Sequence, residues 1–147
     1  MKNPENLLIL RYFDEIKVGM SGELSKLVRN EDLITFANVT GDKNPIHLDP
    51  DYAATSIFGQ RISHGMLVAS FISATFGCNF PGPGWIYINQ SLEFKAPVFI
   101  GDTATTIVTV SNLIPEKQMV EFDTVILVSN KIVVEGTATL LSPKRLR

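Results

Sequence analysis

The sequence predicts an α+β domain, with one long apolar helix held inside a curved antiparallel β-sheet. Two observations carry this. Residues 63–77 place apolar side chains on nearly every side of a helix before closing at Gly77. Beyond Pro81-Gly82-Pro83-Gly84 the apolar period changes from about 3.6 to about 2 and stays there to residue 141. A helix that is apolar all round must be buried, and one this short and hydroxyl-rich does not cross a bilayer. The four or five strands that the rest of the chain supplies are its natural cover, which makes a hot-dog arrangement.

The elements follow in chain order. A strand is expected around residues 22–28. Residues 30–40 then read as a helix, with Asn30 as the cap, Glu31 and Asp32 in the first turn, apolar positions at Leu33, Ile34, Phe36 and Ala37, and a stop at Gly41. Asn44 precedes Pro45 and is biased out of the α region, so residues 42–47 are expected to form a fixed loop. A further loop over residues 55–61 leads to the central helix, for which Ser63 is a candidate cap. Residues 85–95 alternate well enough for a strand, and Pro97 with Gly101-Asp102 marks a turn or bulge. Three more strands are expected over residues 103–113, 118–129 and 131–141, joined by tight hairpins at Pro115-Glu116-Lys117 and Ser129-Asn130-Lys131.

Composition narrows the class. A chain of 147 residues with 45% hydrophobic content makes one domain with a sizeable core. A net charge of -2 and the lack of any basic cluster before the Lys144-Arg145-Leu146-Arg147 tail disfavour nucleic acid as a partner. The single cysteine, Cys78, rules out an intrachain disulfide framework and fits a reducing compartment; at a helix end with no base beside it, it reads as structural. The apolar run at residues 7–10 is too short for a membrane helix and carries no small-residue cleavage site, so a cytoplasmic protein is expected, or one of the mitochondrial matrix if a transit peptide has been removed.

The chemistry concentrates in Asp42-Lys43-Asn44-Pro45-Ile46-His47. A carboxylate and an imidazole five positions apart, turned to one side by the proline loop, can hold one water between them, as general acid-base catalysis requires. The same residues also make an ordinary turn, in which Asp42 bonds local amides and His47 is a half-buried neighbour. The chain has only two histidines. The second, His64, opens the central helix, where it reads as a structural residue.

Three segments, in this order and spacing, resemble the MaoC-like hydratases, and specifically the single-domain (R)-specific enoyl-CoA hydratases: Gly41-Asp42-Lys43-Asn44-Pro45-Ile46-His47-Leu48-Asp49, Arg61-Ile62-Ser63-His64-Gly65-Met66-Leu67 and Ser91-Leu92-Glu93-Phe94-Lys95-Ala96-Pro97-Val98. The resemblance runs from about Gly19 to the C-terminus and leaves residues 1–18 as an extension of a single domain spanning 1–147. It implies a hydratase of fatty acid metabolism that converts trans-2-enoyl thioesters of coenzyme A, or of acyl carrier protein, into (R)-3-hydroxyacyl thioesters. It implies a homodimer in which sheets join edge to edge, which would cover the edges that long apolar strands such as 131–141 and 85–95 leave open; with only two histidines and no clustered ligand set in the sequence, no metal and no cofactor are expected. Asp42 and His47 are the implied dyad. The backbone N–H of Gly65 is the implied oxyanion donor, which suits an amide in the first turn of a buried helix.

Asn44, Phe58, Phe71, Ile72 and Ser73 complete the candidate set. Asn44 is read as orienting the loop more than touching substrate. Phe58, Phe71 and Ile72 are read as setting acyl length. Ser73 lines the acyl pocket by resemblance, and an OH bonded back to the preceding turn would explain it equally well. Two other readings use the same scaffold: a hot-dog acyl-CoA thioesterase, disfavoured because residues 63–76 contain neither Asp nor Glu, and a non-catalytic acyl-binding subunit, disfavoured because both dyad residues are present.

Overall fold

A computed structural model describes residues 8–146, so residues 1–7, including the start of the apolar N-terminal run, lie outside the described part. The chain folds as β1 (Ser21–Leu27), α1 (Asn30–Thr40), α2 (Pro45–Leu48), α3 (Pro50–Ala54), α4 (Gly65–Cys78), β2 (Ile86–Gln90), β3 (Glu93–Phe94), β4 (Thr103–Ile114), β5 (Met119–Val128) and β6 (Lys131–Leu141). The strands form one antiparallel sheet in the order β1-β4-β5-β6-β2, with β3 also pairing with β6. The long apolar helix, α4, packs against β1 and β4 on the inner face of that sheet.

Alternation along the strands explains why this face is the core. Ala104, Thr106, Val108 and Val110 of β4 are buried, as are Val120, Phe122, Thr124 and Ile126 of β5, with exposed or half-buried residues between them. Val133 and Val134 are consecutive yet both buried, because the β5–β6 register shifts between Ile126 and Leu127. From α4, Val68, Ile72 and Phe76 join this cluster; the Phe76 ring meets Phe122 edge-on, with 4.8 Å between centroids.

Several local expectations need correction. The cap of α1 is Arg29, not Asn30; the Asp32 carboxylate receives the Arg29 N–H at 2.9 Å, and the Asn30 side chain instead accepts a bond from Arg61. Residues 42–47 are not all loop, because Pro45 starts α2. Proline is excluded from a helix interior but not from its first position, where its missing N–H costs nothing. Ser63 does not cap α4: His64 is the cap residue, and Ser63 uses its N–H on the Val98 carbonyl at 2.7 Å.

The predicted strand over 85–95 is two strands. Between them Ser91 crosses β6, donating its N–H to the Thr137 carbonyl at 2.8 Å and accepting the Thr137 N–H on its hydroxyl at 2.9 Å. The crossing is so close that a Cβ on Gly136 would lie 1.8 Å from the Ser91 carbonyl oxygen. At the β5–β6 hairpin, Ser129 and Asn130 both take positive φ, 49° and 62°, as the mirror-image two-residue turn requires.

Two departures concern exposure. Strand β6 is not an edge, since it lies between β5 and β2; the edges are β1 and β2. Helix α4 is not buried all round either. Met66, Ser70, Ser73 and Ala74, spaced at about one helical turn, form an exposed stripe beside β2. The segment before β1 packs onto the domain: Ile16 is buried in the core, and the Trp85 indole donates to the Arg11 carbonyl at 3.0 Å.

Candidate active site

The site forms where α2 and the start of α4 meet. Two short helices in tandem set it up, each with an Asx cap followed by proline. Asn44 accepts the Ile46 N–H, and Asp49 accepts the N–H groups of Asp51 and Tyr52. Asn44 is thus a cap, and its side chain holds the turn that presents His47. Arg61 clamps the same region from outside, donating Nε–H to the His47 carbonyl at 2.7 Å and a guanidinium N–H to Asn30 Oδ1 at 2.9 Å, which ties α2 to α1.

His47 is buried, and its Nδ1 lies 2.8 Å from the Ile62 carbonyl oxygen. A carbonyl can only accept, so the neutral ring carries its proton on Nδ1 and leaves Nε2 bare. Burial pushes the His47 imidazole below its usual value of 6.5; the Ile62 carbonyl and Asp42 pull it upward and His64 pushes it down, and the net direction is downward. Asp42 is exposed and accepts the Asn44 N–H at 3.2 Å on Oδ1. Its carboxylate and ring nitrogens of His47 and His64 gather within 4.8 Å of one another.

That cluster could suggest a metal, but the rings are wrongly disposed for one. His47 and His64 stack with centroids 3.9 Å apart and 30° between planes. A lone pair lies in the plane of its ring, so two stacked rings send theirs side by side and do not converge on one ion at about 2.0–2.1 Å from each nitrogen. One ring nitrogen of each is also engaged by a carbonyl. The arrangement suits proton handling.

A cavity of about 320 Å³ opens beside the dyad, lined by His47, Phe58, Gly65, Phe94, Lys95 and Pro97 among others. Gly65 begins α4, so its N–H has no intrahelical acceptor. A side chain could not stand there without displacing Phe94, whose ring would meet a Cβ at 2.9 Å. Of the candidate residues, His47, Gly65 and Phe58 share this cavity, with Asp42 beside it through the contact to His47.

Phe71, Ile72 and Ser73 do not line that cavity. Successive helical residues turn about 100° each, so three in a row cannot face one pocket. Phe71 and Ile72 point into the core, and Ser73 lines a separate groove with Met66, Tyr87 and Leu92. The sequence reading assigned no role to Arg61, Phe94 or Lys95, although all three lie within the matched segments. It gave His64 only a structural one. Lys95 pairs with Glu93 at 3.0 Å and Glu135 at 3.3 Å.

A MaoC like domain matches residues 14–132. The chain belongs to the MaoC-like family. It is 54% identical to the (R)-specific enoyl-CoA hydratase of Rhodospirillum rubrum over 94% of this chain and 96% of that protein. It is 42% identical to a 3-hydroxybutyryl-CoA dehydratase of Methylorubrum extorquens, over 91% and 85% respectively. The solved structure of an (R)-hydratase from Aeromonas caviae superposes with a TM-score of 0.84 at 41% identity, covering 87% of this chain and 98% of that one. The hot-dog fold expected from the sequence is the fold of this MaoC-like chain.

Proposed function

We propose that this MaoC-like protein is an (R)-specific enoyl-CoA hydratase, adding water reversibly to trans-2-enoyl-CoA to give (R)-3-hydroxyacyl-CoA, with Asp42 and His47 as its dyad. The observation that carries the residue assignment is the approach of the Asp42 carboxylate to the His47 ring at the mouth of a cavity that also contains the Gly65 amide. The hydratase and dehydratase activities for which its relatives are named support the reaction.

The tautomer of His47 orders the steps. A water held by the dyad gives one hydrogen to the bare Nε2 and directs the other at the Asp42 carboxylate, leaving an oxygen lone pair to attack the β-carbon. The C–O bond forms, the C=C pair moves onto the thioester oxygen, and the Gly65 N–H binds that developing oxyanion, aided by the N-terminal dipole of α4. The proton then passes from His47 Nε2 to the α-carbon, completing addition of H and OH to one face. His47 is thus the first proton acceptor, and Asp42 orients the water. The protein works as a homodimer in the cytoplasm, and among the described residues no helix is long and apolar enough to cross a membrane.

Crotonyl-CoA tests the reading. The conjugated thioester absorbance should fall without release of free thiol, and the product should reduce NAD through an (R)-specific 3-hydroxyacyl-CoA dehydrogenase but not through an (S)-specific one. Release of thiol would mark a thioesterase instead. Signal only with the (S)-specific enzyme would overturn the stereochemistry.

A further inference from the structure

His64 is the second histidine of the chain, only 1% exposed, and has no part in the steps above. Its Nε2 lies 3.0 Å from the carbonyl oxygen of Asp42, so the neutral ring carries its proton there and bonds the main chain of the dyad carboxylate. One face of the ring stacks on His47 at 3.9 Å and Phe36 packs against it at 4.8 Å. Its Nδ1 is sealed from solvent with no hydrogen-bond partner among the described residues. Leaving a buried acceptor unpaired costs about 1–3 kcal/mol, and an aliphatic residue would fill the space without that cost. A fold that keeps the imidazole here gains something from the Nε2–H and the flat ring together.

We infer that His64 is the positioning residue of the dyad: one imidazole fixes Asp42 through its backbone and His47 through its ring plane, so that carboxylate and Nε2 stay at the spacing of one water. The inference rests on the hydratase reading. Among the described residues, Asn44 meets the Asp42 carboxylate and the His47 main chain, and His64 alone meets the Asp42 main chain and the His47 ring. Asp42 lies in the exposed link between α1 and α2, and the His47 ring is held separately by the Ile62 carbonyl. The role differs from catalysis, because the sealed Nδ1 cannot exchange a proton with water or substrate.

Two variants separate the ring from the donor. His64→Phe keeps a flat ring on His47 and loses the N–H; His64→Gln keeps an amide N–H and loses the ring. A displacement of about 1 Å at a reacting group can cost about 10²-fold, so kcat of each variant on crotonyl-CoA should fall by about 10-fold to 100-fold with KM within about twofold, His64→Phe by loosening Asp42 and His64→Gln by freeing the His47 ring. Wild-type kcat in either variant, or a loss carried by KM with kcat unchanged, would overturn the inference.

If His64→Phe does not fold, imidazole nitrogen NMR of the wild type decides, because the chain has only two histidines. His47 should carry its proton on Nδ1 and His64 on Nε2; the opposite tautomer at His64 would overturn the inference. A wild type that folds with these tautomers yet hydrates no enoyl thioester would instead sink the functional reading.

Discussion

At the scale of single residues, the site depends on a carboxylate left in water and an imidazole taken out of it. Asp42→Asn or His47→Gln should each lower turnover of crotonyl-CoA by about 10²-fold to 10⁴-fold, the usual contribution of a positioned acid-base group, while melting temperatures stay close to wild type. Retained turnover in both variants would end the dyad assignment; unfolding would favour the plain turn. The lowered pKa of His47 sets a pH dependence. The reactive ring is the neutral one, so kcat/KM should decline as pH falls through a midpoint below 6.5. Stability shifts in the same direction, since the folded ring binds a proton less readily than the unfolded one and the native state loses ground below 6.5. A kinetic midpoint above 6.5 would contradict both. The spacing of Asp42 and His47 was legible in the sequence because it is local. His64, whose bond to Asp42 spans 22 positions, was not, because only the turn into α4 brings its ring onto His47.

Among the elements, the strong periodic ones were read correctly and the interruptions were not. Strands β4, β5 and β6 and helix α4 follow from patterning, whereas the split between β2 and β3 depends on one close crossing. No alternation in residues 85–95 signals it; Gly136, more than forty positions on, is the residue that permits it. Gly136→Ala would force a Cβ against the Ser91 carbonyl. The crossing must then shift, with a cost of about 1–3 kcal/mol as for overpacking elsewhere and a melting temperature lower by several degrees. Since β3 carries Phe94 and leads to Lys95 of the cavity wall, turnover should fall with it. An unchanged melting curve would show that the approach relaxes without cost. Pro45 teaches the related lesson at α2, where a helix breaker by propensity became a helix starter by position.

For the whole molecule, the question is what covers the apolar surface that one chain leaves open. The sequence reading placed the vulnerable edges at residues 131–141 and 85–95, but β6 is internal and only β2 is an edge. On β2, Ile86 is 56% exposed and Ile88 45%, and on the neighbouring open stripe of α4 Met66 is 58% exposed. Helix α4 reads as apolar all round, yet one chain covers only part of it, and the groove between that stripe and β2 contains Ser73. An unpaired apolar edge next to an uncovered apolar helix face is a liability for a monomer and suits a two-fold interface, where the same patch serves both partners. Light scattering at micromolar concentration should therefore give the mass of two chains. Ile88→Lys, which places a charge on that patch without touching the cavity at His47, should shift the mass toward one chain. A monomeric wild type would refute the interface, and a dimer indifferent to Ile88→Lys would move it to another face.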